Sequence, residues 1–444
     1  MSGRLLARKL TSFQIMILGF GGLILIGSLL LLFPIATKSR VGASFEHALF
    51  TATSAVCVTG LVVQDTACYW SGFGQAVILT LIQIGGLGVV TFAAFIATVS
   101  GRRISLLQRS MLQDSFSAHQ IGGIVRLTRF ILRTALMIEA VGAMIMLPSF
   151  CARYGRSGIW LAVFHSVSAF CNAGFDLMGD KTGAFSSLTS FADHPGIVFP
   201  ICMLILVGGI GFLTWDDIAE NKLCFKRYRM QSKVILAASG MLILIPALLL
   251  FFGEYAEFPF GERALLSLFQ SVTPRTAGFN SADLTALSGS GRLLLMVLML
   301  IGGSPGSTAG GMKTTTAAVL TLNALAVFRK KKSAHVFGRR IDDGSVKTAA
   351  TLLMLYLGLT LIGGAFISSV EQLPLGACLF ETSSAIGTVG LSLGLTPSLG
   401  TASHILLIGL MFFGRVGGLT FIYAAITKSG TDAAQYPVEK IVVG

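Results

Sequence analysis

Four short segments of small residues, each ending in glycine, recur along the 444-residue chain. Their final glycines are 114, 104 and 112 residues apart. A run of backbone carbonyls that points at one axis needs alternating backbone conformations, some with positive φ, which only glycine adopts at low cost. Carbonyl oxygens arranged in this way replace the hydration shell of a cation and are the known basis of potassium selectivity. We therefore predict potassium-binding filter segments at Cys57, Val58, Thr59, Gly60, Cys171, Asn172, Ala173, Gly174, Arg275, Thr276, Ala277, Gly278, Gly387, Thr388, Val389 and Gly390.

Helices must position these segments. Two apolar stretches that precede them, 45–56 and 375–386, are too short to cross a bilayer, so we interpret them as re-entrant pore helices. Irregular backbone at membrane depth is tolerated only where it is buried in protein or faces a water-filled cavity. Four such turns are therefore predicted to share one cavity. An aromatic anchor is expected nine or ten residues before each final glycine, at Phe50, Phe164, Phe269 and Phe380.

Close helix packing is the alternative explanation of the four glycines, because membrane helices are rich in small residues. Packing alone does not require a half-length helix before each of the four glycines. The repeated arrangement therefore favours the filter.

Composition places the chain in a membrane. Hydrophobic residues make up 53% and charged residues 12% of the chain, whereas soluble domains carry about 25% charged residues. We predict an all-α membrane protein of eight transmembrane helices, in four tandem helix–pore loop–helix repeats around a central pore. The spans are predicted at 13–36, 73–98, 130–150, 196–218, 234–253, 293–326, 348–370 and 402–427. The repeats are predicted at 1–105, 106–232, 233–345 and 346–444, the last with a short cytoplasmic tail.

The net charge of +13 raises the question of nucleic-acid binding. The basic residues do not form one face, because most of them fall in the segments that lie on one side of the predicted spans. This bias predicts a multi-pass protein with both termini and the 329–347 loop in the cytoplasm, and no nucleic-acid partner. The histidines and cysteines lack metal-ligand spacing, and no catalytic grouping is found, so neither a resident cofactor nor an enzyme is expected.

A second internal repeat follows the filter segments, with glycine pairs or a related sequence at 85–88, 208–211 and 414–417. The third copy begins the same way and then breaks, within an apolar stretch too rich in glycine and polar residues for a lipid-facing helix. A phosphate-binding loop is excluded because Met312 stands where its lysine must be. We predict a gating loop inside the pore, made by Gly302, Gly303, Ser304, Pro305, Gly306, Ser307, Thr308, Ala309, Gly310, Gly311 and Lys313.

Three basic residues lie at pore depth. Arg415 occupies a register at which the other repeats have glycine, so we expect it either to pair with Glu139 or Glu381 or, preferably, to stand below the filter and repel cations. Lys313 is open to either a structural or a functional role. Arg275 is expected to anchor its turn through carbonyls or an acid, since a free positive charge at the ion's position would block cations.

The four filters, the broken third inner helix and Arg415 resemble the Trk/Ktr/HKT superfamily of potassium transporters, and within it the Ktr-type membrane subunits. The resemblance implies potassium uptake across a bacterial plasma membrane and a homodimer with one pore per protomer. It also implies a cytoplasmic ring of KtrA-type RCK subunits that would bind ATP or ADP, and sodium as a possible activator. A less selective sodium/potassium pathway and a non-conducting membrane scaffold are the alternatives.

Overall fold

The computed structural model describes residues 11–99, 109–113, 123–222 and 224–425. Within these ranges the chain is mostly helical, and one two-stranded antiparallel hairpin pairs β1 (His335–Val336) with β2 (Arg339–Arg340). The predicted all-α class is confirmed.

The helices follow the fourfold order outer helix, pore helix, filter segment, inner helix. The first two repeats contain α1 (Ser12–Leu32), α2 (Phe45–Val56), α3 (Thr66–Tyr69), α4 (Gly72–Leu87), α5 (Val89–Val99), α6 (Ile124–Tyr154), α7 (Ser157–Phe170), α8 (Gly179–Thr182), α9 (Pro195–Gly209) and α10 (Phe212–Asn221). The last two contain α11 (Met230–Phe252), α12 (Phe260–Val272), α13 (Gly289–Leu300), α14 (Thr314–Phe328), α15 (Asp343–Glu371), α16 (Leu375–Gly387), α17 (Thr401–Val416) and α18 (Gly418–Ala425). Single 3₁₀ turns lie at Pro34–Ala36, Thr189–Phe191, Phe225–Arg227, Leu284–Ala286 and Thr396–Ser398.

The outer helices α1, α6, α11 and α15 are each long and apolar enough to cross a membrane. Their ends are set locally: the Thr11 hydroxyl caps α1 and the Asp342 carboxylate caps α15 by accepting backbone N–H groups of the first turn. Each helix leaves large apolar side chains exposed on one side, as at Leu29, Met144 and Ile362. These sides would be costly in water and form the lipid-facing surface.

The inner helices differ from the prediction. The spans predicted as continuous at 73–98, 196–218 and 402–427 are each broken at a glycine with φ near +90°, namely Gly88, Gly211 and Gly417. The second of these breaks turns the chain by 96° between α9 and α10. Left-handed backbone is accessible to glycine without a Cβ penalty, which explains why hydropathy continues through each break while the helix does not.

The predicted domain boundaries meet the helices unevenly. The boundary at 105/106 lies outside the described residues. The other two fall within the first turn of α11, which begins at Met230, and of α15, which begins at Asp343. The division into four repeats at those positions stays a prediction.

Candidate ion-conducting site

The four filter glycines contact one another in a closed ring. A Cβ placed on Gly60 would lie 2.4 Å from the Ala173 carbonyl oxygen, and one on Gly174 would lie 2.6 Å from that of Ala277. Likewise, a Cβ on Gly278 would lie 2.0 Å from the Val389 carbonyl oxygen, and one on Gly390 would lie 2.2 Å from the Thr59 carbonyl oxygen. Each glycine therefore packs on the backbone of the next repeat, and the fourth returns to the first. Any side chain here would overlap backbone atoms.

Two residues in each filter segment have left-handed backbone. The final glycines have φ between +67° and +96°. The residue two positions earlier also has positive φ, although none of the four is a glycine: Val58, Asn172, Thr276 and Thr388. Such alternation of backbone conformation is what a row of carbonyls directed at one axis requires. The prediction placed this demand on glycine alone, and among the four other residues only Asn172 is of a type that favours left-handed backbone.

Hydroxyl groups near the ends of the pore helices hold the filter backbone in place. Ser54 and Ser384 accept hydrogen bonds at 3.0 Å from the amides of Gly60 and Gly390. In the other two repeats the hydroxyl instead donates to the carbonyl that follows the glycine, from Ser168 at 2.7 Å and from Thr273 at 2.6 Å. Sequence reasoning missed these residues, whose signal was a small hydroxyl residue five or six positions before each glycine.

The pore helices end beside the ring. Their predicted anchors Phe50, Phe164, Phe269 and Phe380 are fully buried. All four helices run toward the filter with their carboxyl ends, where the helix dipole is negative. Three inner-helix glycines permit this approach, because a Cβ on Gly85, Gly208 or Gly414 would lie 2.0–2.1 Å from the last carbonyl oxygens of a pore helix. The geometry favours a positive charge at the axis.

The broken third inner helix is a loop from 302 to 313 between α13 and α14, and we call it the intramembrane loop. It bonds to the second repeat: the amides of Ser304 and Thr308 donate to the carbonyls of Gly209 at 2.9 Å and Gly208 at 3.2 Å. It also reaches the fourth repeat, where the Gly311 amide donates to the Gly414 carbonyl at 3.2 Å. The predicted departure from helix is thus present, and the loop crosses beneath the filter.

Gly310 places the intramembrane loop directly against the fourth filter segment. A Cβ on Gly310 would lie 2.1 Å from the Thr388 hydroxyl oxygen. A Cβ on Gly311, whose φ is +64°, would lie 2.8 Å from the Gly387 carbonyl oxygen. The glycines of the loop therefore serve close approach to the filter as well as backbone freedom.

Arg415 binds backbone carbonyls, and neither acid that was predicted to pair with it does so. Its guanidinium donates to the carbonyl oxygens of Thr308 and Gly85, and to that of Gly86 at 2.8 Å. Arg415 therefore links the intramembrane loop to α4. The salt bridge, one of the two roles expected for Arg415, is not formed to either acid, because Nη1 and Nη2 donate to three carbonyls of α4 and the loop.

The two acids have other partners. The Glu139 carboxylate accepts from the Gln83 amide at 2.9 and 3.1 Å, while Glu381 accepts from Ser392, Thr396 and the Leu393 amide at 2.6–2.9 Å.

Lys313 holds the intramembrane loop onto itself. Its ammonium donates to the carbonyls of Ala309 at 2.9 Å and Gly310 at 3.3 Å. Together with Arg415 it binds three successive loop carbonyls, 308 to 310, with cationic groups. Hydrogen bonds to charged donors are roughly twice as strong as neutral ones, so this arrangement fixes the loop beneath the filter.

Only the backbone of Arg275 belongs to the third filter segment. Its side chain is buried and donates to the hydroxyls of Ser239 on α11 at 3.2 Å and Thr314 on α14 at 3.4 Å. It anchors the turn as predicted, but through hydroxyls, whereas carbonyls or an acid were expected. This orientation keeps the guanidinium away from the ring of glycines.

A cavity of about 1270 Å³ lies on the side of the intramembrane loop away from the filter. Its wall includes loop residues Pro305 and Lys313, the helix breaks and Arg415, but none of the predicted filter residues. We call this cavity the vestibule. The loop and Arg415 therefore separate the vestibule from the filter.

Comparison with known proteins bears on this arrangement. The chain matches the model of the TrkH family, described as cation transport proteins, over residues 7–434. It is 38% identical to the potassium/sodium uptake protein NtpJ of Enterococcus hirae, over 98% of each chain. It is 37% identical to the Ktr system potassium uptake protein B of Bacillus subtilis, over 98% of this chain and 97% of that protein.

Among solved structures, the fold is similar to that of the potassium transporter TrkH from Vibrio parahaemolyticus. The TM-score is 0.73 at 19% identity, over 93% of this chain and 84% of that one. The predicted resemblance to the Ktr-type membrane subunits, the KtrB proteins, is confirmed by these comparisons.

Proposed function

Because the chain belongs to the TrkH family of cation transport proteins, we propose that it takes up potassium through the ring of four filter segments. The closed cycle of contacts from Gly60 through Gly174 and Gly278 to Gly390 is the observation that carries this proposal. A neutral carbonyl cage, with four negative helix ends directed at it, replaces the hydration shell of a potassium ion. Relatives named as potassium uptake proteins support the choice of ion.

Purified protein in liposomes tests this function directly. Wild-type protein should carry potassium against a competing sodium load. Serine at Gly60, Gly174, Gly278 or Gly390 should reduce that preference, since a side chain disturbs the carbonyl ring. Wild-type ion ratios in all four serine variants, at equal amounts of folded protein, would reject the filter. A non-conducting scaffold would give no flux in the wild type either.

A less selective sodium/potassium pathway is the second candidate. The Enterococcus hirae relative, named a potassium/sodium uptake protein, favours it. The same liposomes distinguish the two candidates, because equal uptake of both ions by the wild type would select the second. Added sodium that accelerates potassium uptake, without itself accumulating in proportion, would instead identify sodium as an activator.

The intramembrane loop is proposed as the gate. It crosses beneath the filter, and cationic groups bind three of its successive carbonyls. A potassium ion leaving the filter meets both the loop backbone and the charges of Arg415 and Lys313, in a poorly screened space. Permeation therefore requires the loop to move aside. Flux per folded protein, measured with and without the partner subunit, is the test.

The partners are proposed from the Ktr names of the relatives. We propose a homodimer in the bacterial plasma membrane, with both termini in the cytoplasm. A ring of KtrA-type RCK subunits, binding ATP or ADP, would act on the vestibule end. Chemical cross-linking in native membranes and pull-down at low and moderate salt should recover the dimer and the ring. Failure to recover any RCK-type subunit would reject the control mechanism without affecting the filter.

A further inference from the structure

Two basic segments border the membrane-crossing helices of the third repeat. Residues 222–233 include the start of α11 and contain five lysines and arginines and no acid. Residues 329–340 follow α14 and contain six lysines and arginines and no acid. The two segments are separated in the chain by the whole of the third pore helix, filter and inner helix.

Aromatic contacts join the two segments into one surface. The Phe225 ring of the first segment packs edge-on against the Phe337 ring of the second, with centroids 6.0 Å apart. The ammonium of Lys233 donates to the Lys226 carbonyl at 2.7 Å and lies 5.9 Å from the centroid of the Phe225 ring. We call the joined segments the basic surface.

Apolar contacts hold the basic surface at the ends of the membrane-crossing helices. Ala334 and Ile341 flank the hairpin, and the Ile341 amide donates to the Ala334 carbonyl at 2.9 Å. Both side chains are buried in one cluster with Ala326 of α14, against which Met230 of α11 also packs. Because α11 is long and apolar enough to cross a membrane and begins at Met230, the basic surface lies at the membrane boundary.

Exposed aromatic rings adjoin the cations of the basic surface. Phe328, the last residue of α14, is 81% exposed and is followed directly by Arg329 and three exposed lysines. Phe225 and Phe337 are 42% and 47% exposed. A bilayer presents hydrocarbon, then a boundary zone into which aromatic side chains insert, then headgroups that attract cations when they are anionic. The order of residues from α14 into the loop after it is the same.

The protein neutralises only a small part of this positive charge. Arg229 pairs with Asp216 at 3.5 Å and with Asp217 at 3.4 Å, and Arg340 pairs with Asp343 at 2.6 Å. The other lysines and arginines of the basic surface form no ion pair with any residue that the structure describes. An anionic phospholipid matches both parts of this surface, since its phosphate binds the cations and its acyl chains cover the rings.

We propose that the basic surface is a binding site for anionic phospholipid, with phosphate oxygens bound by cations of both segments and acyl chains packed on Phe225, Phe328 and Phe337. Clusters of about four to eight lysines and arginines directly beside a membrane-crossing helix are typical of such sites. The site is separate from the filter ring and the intramembrane loop, so it does not depend on which ion the protein conducts.

Titration of phosphatidylglycerol into the purified protein in a neutral detergent tests the site, with phosphatidylcholine at the same mole fraction as the reference. The melting temperature should rise with phosphatidylglycerol and then saturate. Native mass spectrometry should show phosphatidylglycerol retained in preference to phosphatidylcholine, and added salt should weaken both effects because it screens exposed charges. Equal stabilisation by the two lipids would overturn the proposal. Neither readout requires transport.

Two double variants test whether both segments contribute. Lys331→Gln with Lys332→Gln removes two cations from one segment, and Lys226→Gln with Arg227→Gln removes two from the other. All four side chains are exposed, so both variants should melt like the wild type in phosphatidylcholine. Each should raise the half-saturating concentration of phosphatidylglycerol by about fivefold for every cation removed. A shift in only one of the two variants would overturn the shared site.

Arg40→Gln with Arg156→Gln is the matched control. It removes the same charge from two exposed positions on the opposite side of the predicted spans and should keep the wild-type response to phosphatidylglycerol. An equal shift in this control would show a general attraction between a cationic protein and anionic lipid, which would overturn the site. Wild-type lipid binding in both segment variants, together with loss of an RCK-type subunit in pull-down, would overturn it in favour of a protein partner.

Discussion

The four repeats are alike in the filter ring but differ from one another in the layer directly beneath it. In the ring, all four repeats have the same pattern of left-handed backbone and each glycine packs on the next. In the layer beneath, three inner helices break at Gly88, Gly211 and Gly417, while the third repeat has Pro305 at that register and an extended loop. A bound ion needs equivalent ligands from every side. A single repeat is enough to obstruct the path of the ion, so the layer beneath the ring can contain one loop and three broken helices.

The sharpest test of ring equivalence compares two residues of one segment with the same φ of +77°, Gly278 and Thr276. Gly278→Ala should abolish potassium uptake and destabilise the protein by about 2–4 kcal/mol, because the new Cβ would overlap the Val389 carbonyl. Thr276→Gly should preserve assembly, since glycine adopts the same backbone more readily. Uptake per folded protein and melting temperature measure both effects. Equal tolerance of the two substitutions would contradict the ring packing.

Assembly of the layer beneath should depend on close approach of the inner helices. Gly208→Ala places a methyl group 2.0 Å from the Phe170 carbonyl oxygen and should lower stability by about 2–3 kcal/mol. Gly240→Ala on α11 is the control, because an added Cβ there meets nothing within 4 Å. It should be neutral or slightly stabilising. Comparable losses in melting temperature for both variants would show that the tight contact is not maintained.

Shortening the intramembrane loop, which has no counterpart in the other three repeats, should alter potassium flux without altering ion selectivity. Deletion of 304–307 removes the loop amide that bonds to Gly209 and should raise maximal potassium flux several-fold, with weaker dependence on the RCK partner. Arg415→Gln retains a shorter hydrogen-bonding group and should give a smaller increase through loss of charge. Flux per folded protein is the measurement. Unchanged flux and unchanged partner dependence after the deletion would exclude the loop as the gate.

The smallest effect is expected for the hydroxyl groups that support the ring. Ser54→Ala removes the acceptor of the Gly60 amide and should cost about 1 kcal/mol, with a modest loss of potassium preference. Ser384→Ala should behave alike, because its bond to Gly390 has the same length. Opposite effects of the two alanine variants on the ion ratio would argue that the first and fourth filter segments are not equivalent.

The sequence predicted the filter ring better than the layer of inner-helix breaks and loop beneath it. The bounds of α2 and the positions of the four glycines follow from small-residue patterns and hydropathy, since a half-length apolar stretch has few other uses in a membrane. The breaks at Gly88, Gly211 and Gly417 were not predicted, because apolar residues continue on both sides of each glycine. Their signal was a glycine at one register in three repeats.

Side-chain partners were predicted least well. Arg415 was expected either to pair with an acid or to stand below the filter, and neither alternative named its partners, which are carbonyls of α4 and the intramembrane loop that lie far apart in the chain. Hydropathy describes which residues are buried and not which ends of helices meet. The imidazole of His404 likewise drew no attention as a single histidine, because its two hydrogen-bond partners, the Glu46 carboxyl and the Thr396 carbonyl, come from opposite ends of the sequence.

The closed order of the ring also has a consequence for biogenesis. Ribosomes deliver the repeats one after another, so the carbonyls of the first three filter segments face an incomplete cavity until Gly390 has been made. That glycine follows Gly278 by 112 residues, which takes roughly 6–22 s at about 5–20 residues per second. Unpaired backbone groups are expensive in lipid. The nascent three-quarter pore therefore carries a free-energy penalty that is removed only when the fourth repeat is inserted.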